Sequence, residues 1–183
     1  MPRLRPFAAD PAATAFDLKA EAQWCTGGLR LHYRLQGPLE QLVLAEPAPT
    51  PRRRDGLWQS TCFEAFVGVV GQAAYWELNL SPSGDWNLYR FDGYRSGGRE
   101  EAAIQALPCR QQRSNGTLTA ALTVELSLAG AGWFATDDPQ LELALTAVLE
   151  HRQMGCQYWA LQHCAAQPDF HQRPSFVALE QLH

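Results

Sequence analysis

The chain has 183 residues, with 15 Lys and Arg against 19 Asp and Glu and a formal net charge of −4. That length suits one domain burying about two-thirds of its unfolded surface, and the mildly acidic balance leaves no electrostatic footprint for nucleic acid. No window reaches the roughly 18 apolar residues of a membrane span, and the opening MPRLRPFAADPAATAF lacks the continuous apolar run of a signal peptide. The expectation is a single domain over residues 1–183, without a membrane partner, in the cytoplasm.

In chain order, Pro2 and Pro6 deny residues 1–9 a regular hydrogen-bond ladder, which predicts an irregular arm. Residues 10–22 read as a short helix or a lead into the first strand. Leu29, Leu31, Tyr33 and Leu35 then alternate with Arg30, His32, Arg34 and Gln36, a half-buried strand ended by Gly37-Pro38. Pro47, Pro49 and Pro51 lead into Arg52-Arg53-Arg54 and Asp55-Gly56, the signature of a loop with solvated charges or of an arm beside a pocket. In residues 57–95, period-two alternation places Cys62, Glu64 and Phe66 on one face and Phe63, Ala65 and Val67 on the other. The next strand sets Tyr75, Glu77 and Asn79 against Trp76, Leu78 and Leu80, and the turn Ser81-Pro82-Ser83-Gly84-Asp85 delivers Trp86.

Asn115-Gly116 is a hairpin signal, followed by the row Leu118, Ala120, Leu122, Val124 and Leu126. Residues 127–133 are compatible with a helical turn. After Asp137-Asp138-Pro139 comes a second inward row, Leu141, Leu143, Leu145, Ala147 and Leu149. Short strands between Gly, Pro and Asn turns, with no alternating long helices, predict an all-β fold, an antiparallel sandwich.

Functional candidates follow from the face that is not core. Glu64, Glu77 and Asn79 collect there, and such groups cost free energy if buried dry and unpaired, so they predict a pocket floor or a satisfied internal network. Sugars offer an apolar C–H face and a hydroxyl rim, which aromatic rings with carboxylates, amides and Arg around them can hold. Trp58, Trp86, Tyr94 and Trp159 supply rings and Glu64, Glu77, Asn79 and Arg95 the rim. Trp86 and Trp159 are expected to stack on the ligand, with Arg95 and His163 hydrogen-bonding to it.

Two other readings use overlapping residues. Glu64 and Glu77 could form the carboxylate pair of a sugar-active enzyme, which needs separations of about 5 or 6.5–9.5 Å. A haem or redox module would draw on His163 or His171 with Met154. There is no GxSxG elbow, P-loop, HExxH or CxxCH, and the five Cys contain no CxxC pair. Binding without catalysis is the expectation; the cofactor stays unassigned, with haem and calcium the candidates.

The order Phe63-Glu64-x-Phe66, hairpin, Tyr75-x-Glu77-x-Asn79, then Ser81-Pro82-x-Gly84-x-Trp86, with Trp58 and Cys62 before it and Tyr94-Arg95 after, resembles the DOMON-like superfamily, which includes the family 9 carbohydrate-binding modules. The late segment Tyr158-Trp159-Ala160-Leu161-Gln162-His163 and Pro168-Asp169-Phe170-His171 looks like the close of its stand-alone bacterial group. The likeness spans most of residues 20–180 and implies a β-sandwich of jelly-roll-like topology with a sugar or haem pocket on one sheet.

Overall fold

A computed structural model of the chain describes residues 1–8, 10–25, 28–115, 120–129 and 140–182; within 120–129 the backbone and the Thr123 side chain are described. Its strands form two antiparallel sheets packed face to face. In chain order the elements are β1 (Arg5–Pro6), α1 (Pro11–Thr14), β2 (Asp17–Cys25), β3 (Gly28–Gly37), β4 (Cys62–Val69), β5 (Tyr75–Leu80) and β6 (Trp86–Phe91). There follow β7 (Arg99–Glu100), β8 (Cys109–Asn115), β9 (Ala120–Ala129), β10 (Leu141–His151), β11 (Gly155–Ala160) and β12 (Val177–Ala178). The smaller sheet runs β2-β3-β9-β8; the larger runs β1-β11-β10-β4-β5-β6-β7, with β12 also on β10. The all-β antiparallel sandwich expected from alternation is therefore the fold.

Alternation also says which faces meet. Leu29, Leu31, Tyr33 and Leu35 of β3 face Phe63, Ala65 and Val67 of β4, Leu78 and Leu80 of β5, and Leu143, Leu145 and Ala147 of β10 in one continuous core. Tyr33 crosses between the sheets: its ring lies 5.3 Å from that of Phe63, and its hydroxyl donates to the Glu64 backbone carbonyl at 2.6 Å. A buried phenol needs such a partner, and here it ties the strand that carries Glu64 to the smaller sheet.

Three local expectations change. The N-terminal residues are not an irregular arm: Arg5 and Pro6 pair with Ala160 and Trp159, the Leu4 N–H donates to Leu18 O at 2.9 Å, and the Leu4 side chain is buried in the core. Proline tolerates an edge strand, where one side of the backbone has no ladder to supply. Residues 10–22 divide in two, a single helical turn capped by Asp10, which accepts from the Ala13 N–H at 2.7 Å, and then β2. The Arg52–Arg54 loop is not merely solvated. Arg53 lies over the Trp86 ring at 4.4 Å and donates to Asn87 Oδ1 at 2.7 Å and to the carbonyls of Leu88, Glu101 and Ile104. Asp85 takes the Arg52 N–H and the Arg54 guanidinium.

The Asn115-Gly116 signal falls between β8 and β9, which pair from Asn115 opposite Ala120. Leu118 and residues 130–133 lie outside the described residues, as do the side chains of the row expected at 120–126; Ser127 belongs to β9.

Candidate functional site

The outer face of the larger sheet holds a cavity of about 470 Å³. Register lays its floor in rows across the strands. Thr146, Glu64, Asn79 and Asn87 stand side by side from β10 to β6, and the next row is Ala144, Phe66, Glu77 and Tyr89. Glu64 and Glu77 are thus diagonal neighbours, close enough for their side chains to interact. Aromatic rings of Trp58, Phe66, Tyr89, Phe91, Tyr158 and Phe170 form the walls, and the polar lining is Glu64, Glu77, Arg95, Asp169 and His171.

The walls close because residues 92–96 and 168–176 fold over the sheet. Arg95 has φ 49°, in the left-handed region that non-glycine residues rarely adopt, at a cost of order 1 kcal/mol. The turn, with Ser96 N–H donating to Gly93 O at 3.0 Å, brings the Arg95 N–H to Tyr75 Oη at 3.2 Å and its guanidinium to Asp169 at 2.9 Å. Asp169 gathers donors from both segments: Tyr94 Oη and Gln172 Nε2 at 2.7 Å, and the His171 N–H at 3.1 Å. Burial alone would raise the Asp169 carboxyl, but hydrogen bonds from Gln172, Tyr94, Arg95 and the His171 backbone together hold it well below the usual carboxylate range.

His171 hangs from this strap into the cavity, its ring 5.0 Å from Phe66 and 5.1 Å from Phe91. Tyr75 Oη, which accepts from the Arg95 N–H, shares a 2.7 Å hydrogen bond with His171 Nδ1. The other ring nitrogen, Nε2, stands 3.6 Å from Glu77 Oε2. Burial first, and then the Arg95 charge, lower the His171 pKa from 6.5 to about 4.

The two glutamates differ. Glu77 Oε1 accepts from Asn79 Nδ2 at 2.8 Å, and its carboxyl is raised by burial, an effect partly offset by Asn79 and Arg95. Glu64 is 2 % exposed; one oxygen faces Thr146 Oγ1 at 3.5 Å and the other, Oε1, has no hydrogen-bond partner among the described residues. Burial, then the charge of Glu77, push Glu64 well above the usual carboxylate range.

The structure brings together Glu64, Glu77 and Arg95 in the cavity lining and places Asn79 directly beneath, holding Glu77. It does not bring Trp86, Trp159 or His163 there. Trp86 pairs with Leu80 and Trp159 with Ala147, so both indoles point into the core between the sheets, at 4 % and 2 % exposed. His163 shares a 2.9 Å hydrogen bond with Arg5 O and packs edge-on against Phe7. Met154 lies in the exposed turn after β10, its N–H donating to His151 Nδ1, and does not line the cavity. Among the described residues no cluster of three His, Cys, Asp or Glu could hold a metal ion, and no helix is long and apolar enough to cross a membrane.

Sequence reasoning passed over Tyr89, Phe91, Tyr158 and Phe170. The first three follow from strand register, which periodicity alone does not supply. Counting across the five-residue turn from Leu80 to Trp86 turns Trp86 inward and Asn87, Tyr89 and Phe91 outward, and pairing Trp159 with the inward Ala147 turns Tyr158 outward.

These features define an antiparallel β-sandwich with an aromatic-walled, acid-floored cavity on the outer face of its larger sheet. Its fold is that of a crystal structure of a "putative carbohydrate-binding protein" from Bacteroides uniformis, with a TM-score of 0.68 at 10 % identity over 97 % of this chain and 85 % of that one. No family model and no curated protein matches the chain.

Proposed function

We propose that this chain is a non-catalytic binding module for a saccharide or sugar derivative, held in the cavity above Glu64 and Glu77. The observation that carries the reading is the pairing of ring walls with a polar floor: Phe91 and Tyr158 offer apolar ring surface to sugar C–H groups, and Glu64, Glu77 and His171 offer hydrogen-bonding atoms to hydroxyls. The name of the Bacteroides uniformis neighbour and the DOMON-like motif order support it. Trp86, Trp159 and His163 act in this reading through the fold, not through ligand contact.

A titration of the purified protein with mono- and oligosaccharides, with and without calcium, tests the reading. Binding of at least one sugar is expected, weakened about tenfold by Glu77→Gln. Saccharide-independent melting temperatures and flat titrations across the panel would overturn it.

One observation favours a sugar-active enzyme as the second reading: burial and the charge of Glu77 raise the Glu64 carboxyl well above the usual carboxylate range beside a second carboxyl, and glycoside hydrolysis uses such a pair as acid and base. Turnover of chromogenic glycosides, lost in both Glu→Gln variants, would establish it. The haem reading finds less support, because Met154 stands outside the cavity. An absorbance spectrum with a Soret band would restore it.

A further inference from the structure

The charges around the cavity select among sugars. Three carboxyl groups, those of Glu64, Glu77 and Asp169, line it against one guanidinium, that of Arg95, among the described residues. Arg95 is paired to Asp169 at 2.9 Å, which leaves Glu64 and Glu77 without a cationic partner on the floor. His171 adds little positive charge at neutral pH, because burial and then the Arg95 charge lower its pKa to about 4. The unsatisfied atom is Glu64 Oε1, on a side chain 2 % exposed, in a residue that lines the cavity. A buried acceptor without a donor is costly, and two neighbouring carboxyls without a cation repel each other.

The surroundings of that floor are aromatic. Glu77 stands directly between Phe66 on β4 and Tyr89 on β6, and Phe91 lies one row further. A cation placed against Glu77 would therefore have aromatic rings as well as carboxylate for neighbours, the combination that recognises ammonium groups.

We propose that the ligand carries a primary ammonium, an amino sugar with its nitrogen donating to the carboxyl groups of Glu64 and Glu77. This rests on the saccharide-binding reading and names the class within it. An ammonium supplies three donors, enough for both glutamates with one to spare, and it removes the mutual repulsion of the pair. A uronic or phosphorylated sugar would set its anion against two unpaired carboxyls, and an N-acetylated one would lose the charge.

Four probes at neutral pH test it by titration calorimetry: glucosamine, glucose, N-acetylglucosamine and glucuronate. Glucosamine should bind about tenfold more tightly than glucose or N-acetylglucosamine, and glucuronate should show no binding. Glu64→Gln, which keeps shape and volume, should abolish the roughly tenfold preference for glucosamine over glucose and leave the circular dichroism spectrum unchanged. Glucose binding as tightly as glucosamine would overturn the ammonium assignment and leave the saccharide reading standing, as would a Glu64→Gln protein that keeps the preference. If none of the four binds and the wider sugar panel is also silent, both fall.

Discussion

Arg173 lays its guanidinium across Gly68 so closely that a Cβ added to Gly68 would stand 2.5 Å from Arg173 Cζ. The same guanidinium pairs with Glu142 and donates to Val69 O at 2.9 Å, so the glycine on β4 is what admits the clamp that holds residues 168–176 over the cavity. Gly68→Ala must displace either the clamp or the strand. We expect a loss of about 1–3 kcal/mol in urea denaturation, the range of overpacking at a close contact. A neutral Gly68→Ala would mean that the strap is not held at this point.

Stability should depend on pH through His171. Its pKa falls from 6.5 to about 4 on folding, so between those values the unfolded chain binds a proton that the folded one does not. The stabilisation is complete above pH 6.5 and is lost as pH falls towards 4, by up to about 3 kcal/mol at 1.36 kcal/mol per unit. Glu64 and Glu77, raised on folding, work in the opposite sense, their contribution being lost as pH rises. The difference between wild type and His171→Gln isolates the histidine: the two stability curves should converge on acidification. Parallel curves from pH 7.5 to 4.5 would rule the assignment out.

Two adjacent residues separate core from site. Trp159→Ala should cost about 3–5 kcal/mol, because its indole fills the space between the sheets opposite Ala147. Tyr158→Ala, on the opposite face and 38 % exposed at the cavity wall, should leave the unfolding free energy within about 1 kcal/mol and act on ligand affinity instead. Thermal melts and sugar titrations of the two variants give both numbers, and an equal loss of stability would contradict the register.

The sandwich was legible because its strands are amphipathic: Leu29 to Leu35 and Leu141 to Leu149 announce buried faces by a period of two, and the same rule set Glu64, Glu77 and Asn79 together on the face away from the core. Periodicity is local, and it fixes which residues share a face of one strand. It does not fix which neighbour a strand pairs with, and that is why Trp86 and Trp159 read as exposed platforms. Their inward orientation depends on registers with Leu80 and Ala147, the second of them between strands placed by β-sheet pairing.

The strap was further beyond the sequence. Arg95 and Asp169 are 74 positions apart, and no pattern in either segment specifies the other; their meeting follows from the left-handed backbone at Arg95 and the anchoring of Arg173 over Gly68. By itself, the sequence determined the class of fold and the acidic floor, because alternation and residue chemistry act within a few residues. Only the tertiary structure decided the walls, the neutral state of His171 and the unsatisfied oxygen of Glu64, because burial and long-range pairing arise when distant segments close over one another.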